Sequence, residues 1–230
     1  MPQSSEEAKT AGYTLLKGGG YLFERKDGVE GVAVPATVLV TRGLIELFAC
    51  GAGGKEHESL LRLDCDTHSL DSALTLCGFR RGRLPKELRE RGREIGDRLV
   101  VLVQWKSKDD RVVTHRAEDL ILHVRREGPM PRVGWTFVGS WMEVVDPTST
   151  PRERKTYKVL AASVTRCLMT TWRDASALLD NPIPDAVDDT VYAANYVVAP
   201  RSGTSVLVLI RPPNAKEREE IAKAEEELSK

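Results

Sequence analysis

Apolar and polar positions alternate in short runs along most of the chain, and glycine, proline and aspartate separate the runs. That is the pattern of a strand-rich domain. "YLFERKDGVEGVAVPATVLV" (21–40) predicts a strand, a turn at Asp27-Gly28 and extended segments broken by Pro35. "GLIELFAC" (43–50) and "HESLLRLDC" (57–65) predict two strands flanking a glycine-rich turn, paired as a hairpin. In "HSLDSALTLCG" (68–78), Leu70, Ala73, Leu74 and Cys77 fall at helical spacing, and Gly78 is placed to end the helix. "RLVVLVQW" and "RVVTHRA" read as a hairpin turning at Lys108-Asp109-Asp110. "AEDLILHV" (117–124) fits a helical turn or a strand equally. "WTFVGSWMEVV" (135–145), aromatic and β-branched, reads as a strand. Residues 156–172 read as two strands or a bent one, and 174–189 as a short helix with a proline-punctuated loop. "SVLVLIRP" (205–212) is a continuous apolar run, hence a buried strand.

The two ends differ from the middle. Residues 1–12 read as a flexible lead-in. Of residues 214–230, ten are charged, and Ile221, Ala224 and Leu228 form only a thin apolar stripe. Asn214 with Glu217 three positions later makes an N-cap pair, so an exposed or partner-packed helix is expected there. The whole reads as α+β: one domain over 13–213, mainly antiparallel sheet with one or two packed helices, and a charged C-terminal helix.

Composition narrows the class. With 34 basic and 34 acidic residues the formal net charge is zero, which argues against a dedicated nucleic-acid binder. Residues 80–98 hold eight basic and four acidic side chains and read as a solvated helix-and-loop connection. The cysteines Cys50, Cys65, Cys77 and Cys167 form no CxxC pair and imply no disulfide framework. No apolar run approaches the roughly 20 residues needed to span a bilayer. The N-terminus lacks a secretory apolar segment, so the chain is expected to be cytoplasmic, or exported if a leader has been removed.

Reactive side chains crowd into "FACGAGGKEHES" (48–59). A P-loop is excluded, because Ala49 stands at the first glycine position and Glu56 follows Lys55. An anion nest from the amides of Gly51 to Gly54 is one reading, and glycines supplying positive φ for a turn is the simpler one. A local metal site is not expected. Adjacent His57 and Glu58 point to opposite faces of a strand, and His57 stands roughly 26 Å from Cys65 along one. For nucleophilic chemistry the register decides. A four-residue loop, Gly51–Gly54, places Cys50, His57, Glu46 and Ser59 on one face. A five-residue loop, Gly51–Lys55, sends His57 to the apolar face with Leu61 and Leu63 and turns Cys50 away. Elsewhere, Trp135, Phe137 and Trp141 alternate as core packing or an aromatic platform, Asp188-Asp189 beside Pro184 reads as a cation site or, more simply, a turn or helix cap, and Asn195 as a buried hydrogen-bonding anchor.

The segments "GLIELFACGAGGKEHESLL" (43–61), "SALTLCGFRRG" (72–82), "VVLVQW" (100–105), "RAEDLI" (116–121), "PMPRVGWTFVGS" (129–140) and "NYVVAPRSGTSVLVLIRP" (195–212), in that order, resemble the YdjY-domain family, a bacterial group. The resemblance implies one domain and no particular reaction. Some relatives carry ferredoxin-type cysteine clusters beside this domain; four scattered cysteines cannot supply that spacing here. The resemblance and the absence of a recognised catalytic motif point to a non-enzymatic binding or accessory module serving a redox or envelope-associated system. Its rim is expected at Gly53, Gly54, Lys55, His57 and Ser59. The competing reading is an enzyme using Cys50 and His57 with Glu46 or Glu58, and a third is a structural protein that binds a partner through the terminal helix. No cofactor is specified, and the partner, protein or small molecule, is not named by the sequence.

Overall fold

The first strands that the apolar pattern marks out are held together by the last one. The computed structural model describes residues 12–25, 28–83, 95–150 and 152–229. Its strands are β1 (Tyr13–Leu15), β2 (Tyr21–Arg25), β3 (Gly28–Val38), β4 (Leu47–Gly51), β5 (Ser59–Leu63), β6 (Arg98–Lys106), β7 (Val112–Arg116) and β8 (Ile121–His123). They continue as β9 (Gly128–Pro129), β10 (Trp135–Phe137), β11 (Trp141–Val145), β12 (Thr156–Leu160), β13 (Cys167–Thr170), β14 (Leu179–Asp180), β15 (Tyr192–Ala194) and β16 (Ser205–Arg211). Three α-helices lie among the described residues: α1 (Thr67–Leu76), α2 (Ala161–Thr165) and α3 (Ala215–Glu227).

Eight strands close into a barrel in the order β3, β16, β6, β10, β14, β13, β4, β5 and back to β3. Six of its seams are antiparallel, while β13–β14 and β4–β5 run parallel. The fold is therefore a single sheet-rich domain, mainly antiparallel as expected, but the expected α+β sheet is corrected to a closed barrel. Outside it lie β1 and β2 beside β3, β7 beside β6, the separate hairpin β11–β12 and the small sheet β15–β8–β9.

Closure depends on β3 serving two neighbours on one side. Its first half pairs with β2 as far as Ala33, and its second half pairs with β5 from Ala36. Pro35 stands between them. Its carbonyl accepts from Asp64 N at 2.8 Å, so its missing N–H also faces the seam where one partner ends and the next begins. No ladder bond to β16 is lost, and β3 runs unbroken through a residue expected to interrupt it.

The continuous apolar run of β16 is explained by cover on both faces. Val206, Val208 and Ile210 enter the barrel core, while Leu207 and Leu209 pack outside with Tyr13, Tyr21 and Phe23 of the β1–β2 flap. Helix α1 begins on Asp66, whose carboxylate accepts from Ser69 N at 3.0 Å, and gives Leu70, Ala73 and Leu74 to the core. It ends where Gly78 takes φ +81°, as its spacing predicts. The segment 135–145 is two strands, not one, because Gly139 turns the chain at φ +52° against the Arg81 side chain. The guanidinium of Arg81 lies over both Phe137 and Trp141.

Helix α3 carries the predicted capping box between Asn214 and Glu217. It is docked on the barrel: Ile221 is buried, and Ala224 and Leu228 pack on the main core. Glu217 receives both Arg211 guanidinium nitrogens at 2.7 and 2.8 Å, and Arg98 reaches Glu225 at 2.8 Å. The N-terminal lead-in (apart from Gly12) and most of the basic connection, residues 84–94, fall outside the described residues.

Candidate functional site

The stretch 48–59 does not form a hairpin. β4 and β5 lie side by side in parallel, with Leu47 opposite Ser59 and Gly51 opposite Leu63. Parallel neighbours ordinarily need a crossover of a dozen or more residues. Here the chain returns only four strand positions, roughly 13 Å, and residues 52–58 cover that distance. Neither hairpin register applies, and the grouping of Cys50 with His57 that one of them implied is replaced by another.

The return is fixed by its own backbone. Gly51 N donates to Arg166 O at 2.9 Å, Gly54 N to Gly51 O at 3.0 Å and Glu56 N to Gly54 O at 2.8 Å. Gly53 adopts φ +75°, and its amide donates to the Glu56 carboxylate at 3.2 Å. Of the amides read as an anion nest, those of Gly51, Gly53 and Gly54 are thus already hydrogen-bonded within the protein. Gly54 lies so close to Arg166 that a Cβ there would stand 2.8 Å from the Arg166 Cβ and 3.2 Å from that of Cys50. Ser59 is fully buried, and its hydroxyl donates to Lys55 O at 2.6 Å, so it shapes the turn from beneath.

What the turn holds outward is an ion cluster. Lys55 Nζ lies 2.5 Å from Glu46 Oε2 and 3.3 Å from Glu58 Oε2, and His57 Nε2 lies 3.2 Å from Glu58 Oε1. The Lys55 ammonium also sits 5.9 Å from the centre of the Trp172 ring. The hydrogen bond that Lys55 donates to Glu46 raises the Lys55 pKa above its ordinary value, desolvation opposes this, and Glu58 adds to the rise. Partial burial pushes Glu58 up, but its polar neighbours Glu46 and Lys55 outweigh this and hold the carboxyl below its ordinary value. His57 is 78% exposed.

Cys50 faces the other way. It is fully buried, its Sγ lies 3.7 Å from Leu61 O, and burial, ahead of a lowering contact with Ser59, raises the thiol pKa. The structure therefore buries Cys50 and exposes His57, and brings Glu46 and Glu58 together around Lys55. Trp172 was not singled out in the sequence. It reaches the site because the amides of Thr171 and Trp172 both donate to Glu46 O at 2.9 Å, a link between residues far apart in the chain.

The other histidines lie elsewhere. His68 is exposed on α1, and His115 stacks on Trp105 with its Nδ1 3.7 Å from Asp119. His123 is buried, with its Nε2 3.0 Å from Asp185 Oδ2. Burial lowers the His123 pKa, partly offset by Asp185. Among the described residues no group of three or more His, Cys, Asp or Glu could hold a metal ion. Trp135 and Phe137 are buried in the core while Trp141 is half exposed, so the three aromatics form no common platform. Asp188 caps its own turn through Thr190 and pairs with Arg125. Asn195 is the buried anchor that its setting predicts, donating to Asp119 O at 2.8 Å.

Fold and site define a closed, mixed β-barrel domain with an ion cluster at one return loop. The model of the YdjY domain matches residues 29–211, which is most of the chain, and the chain belongs to that family. No match was found among curated proteins or among solved structures. No helix of the described residues is long and apolar enough to cross a membrane.

Proposed function

We propose that this chain is a non-catalytic binding module whose contact surface is the return loop Gly53–Glu58 with Glu46 and Trp172. The observation that supports this most is the setting of the Lys55 ammonium. Two carboxylates and an indole face surround it, on a backbone that spends its own amides and Ser59 on staying in place. Carboxylates beside an aromatic face are the chemistry that recognises a cationic group. Lys55 occupies the cradle in the free chain, and a partner presenting an amine displaces it. His57, exposed at the edge, widens the contact. The family resemblance adds service to a redox or envelope-associated system as the setting.

The test is an NMR titration of the Trp172 indole with propylammonium. In Lys55→Ala the cradle is vacant, and binding is expected to be at least tenfold tighter than in the unmodified chain. Glu46→Gln/Glu58→Gln in the same background is expected to abolish it. Equal affinity across all three proteins removes the proposal.

A further inference from the structure

A second feature of the same region is not part of that surface. Cys50 on β4 and Cys167 on β13 are register partners across an antiparallel seam. Both are free thiols, both are buried, and both belong to one small cluster with Leu47, Val138 and Ala177. Gly51 N donates to Arg166 O at 2.9 Å, a bond that flanks the Cys50–Cys167 pair rather than joining it. Cys50 and Cys167 then occupy the neighbouring non-hydrogen-bonded position, where opposed Cα atoms stand about 4.5 Å apart. Disulfides span Cα separations of roughly 4.4–6.8 Å.

We propose that Cys50 and Cys167 are a thiol modification site that closes to a cross-strand disulfide with a low-molecular-weight disulfide as oxidant, and that the Gly51–Gly54 turn is the cover over it. The turn packs on the base of the Cys50 side chain, since a Cβ on Gly54 would stand 3.2 Å from Cys50 Cβ and 2.8 Å from Arg166 Cβ. To react, Cys50 Sγ leaves Leu61 O by rotation about χ1.

The reaction is two thiol–disulfide exchanges. One cysteine thiolate attacks the oxidant, forming a mixed disulfide and releasing one small thiol. The second cysteine thiolate attacks the protein sulfur of that mixed disulfide, forming the Cys50–Cys167 bond and releasing the second small thiol. The two protein protons end on the two released thiols, and the oxidant takes the two electrons. Burial raises both thiol pKa values, so closure is slow at neutral pH and accelerates with alkalinity.

The test uses the full chain in a Cys65→Ser/Cys77→Ser background, with oxidised glutathione and intact-mass detection. The expected product has lost two hydrogens, yields a cross-linked peptide containing residues 50 and 167, and returns to the starting mass with dithiothreitol. Its rate is expected to be unchanged by urea below the unfolding transition and several-fold higher in Gly54→Ala, which wedges the cover. Stable glutathione adducts without a cross-link overturn the proposal. So does a rate that follows global unfolding, or reaction of the urea-unfolded chain alone.

Discussion

Glu217 performs three tasks at once, and its removal measures how α3 is held. Its carboxylate accepts from Asn214 N at 2.8 Å, receives both Arg211 nitrogens, and lies 3.9 Å from the buried Arg116. Both it and Arg211 are nearly buried, at 12% and 13% side-chain exposure, so solvent screening is slight. In Glu217→Ala the cap accounts for about 1 kcal/mol, and the charge-assisted bonds to Arg211 for about 1.5–3 kcal/mol. The loss is then about 2.5–4 kcal/mol, or a fall in Tm of roughly 5–15 °C for a chain of this length. Glu217→Gln keeps an acceptor for Asn214 N but not the charge, and is expected to lose about half as much. The pH dependence has a definite sign. Burial pushes the Glu217 carboxyl up, but Arg211 and the Asn214 amide outweigh it, and the folded pKa lies below the ordinary value. Its stabilisation is therefore complete above the unfolded pKa, about 4.3, and is lost as pH falls through the folded pKa. Urea unfolding of wild type and Glu217→Gln at pH 7 and pH 3 measures this. A Glu217→Ala protein within about 0.5 kcal/mol of wild type, the range of ordinary surface changes, would refute the reasoning.

Three further outcomes are expected. Gly54→Ala, whose new Cβ meets Arg166 at 2.8 Å, costs about 1–3 kcal/mol in thermal or urea unfolding, while His57→Ala changes stability by less than about 0.5 kcal/mol; equal effects would show that the turn is not packed as described. Burial, opposed by Arg173 and Thr170, raises the Asp180 carboxyl to about 6. Its carbon resonance should titrate near that value, and stability should fall as pH rises through it, because the folded chain holds this proton more tightly; a midpoint near 4 contradicts the assignment. Arg81→Ala removes the cation lying over Phe137 and Trp141 and the partner of Asp71. It should lower Tm and alter Trp fluorescence together, and an unchanged emission spectrum counts against the packing.

Local features were legible in the sequence because local chemistry decides them. Gly78 ends α1, Asn214 and Glu217 build their capping box, and the β6–β7 hairpin turns where its aspartates stand. Barrel closure was not legible, since it rests on β3 splitting one edge between β2 and β5, a pairing no periodicity encodes. The same holds for the site. Glycines followed by a strand suggest a hairpin, and only the long-range seams of β4 with β13 and of β5 with β3 force the parallel return. Lys55, His57, Glu46 and Glu58 were visible as candidates. Their true grouping, with Cys50 turned inward and Trp172 brought in through Thr171 and Trp172 amides, depends on that return.

The placing of β16 has a consequence for how the protein is made. The last strand lies between two of the earlier ones, pairing with β3 on one side and β6 on the other. Until residues 205–211 leave the ribosome, those two edges have no partner to join them, and both offer unpaired backbone groups to any passing strand. The barrel therefore cannot close before residues 205–211 have emerged, and a chain stopped short of Arg211 is left with an open seam however complete its other strands are.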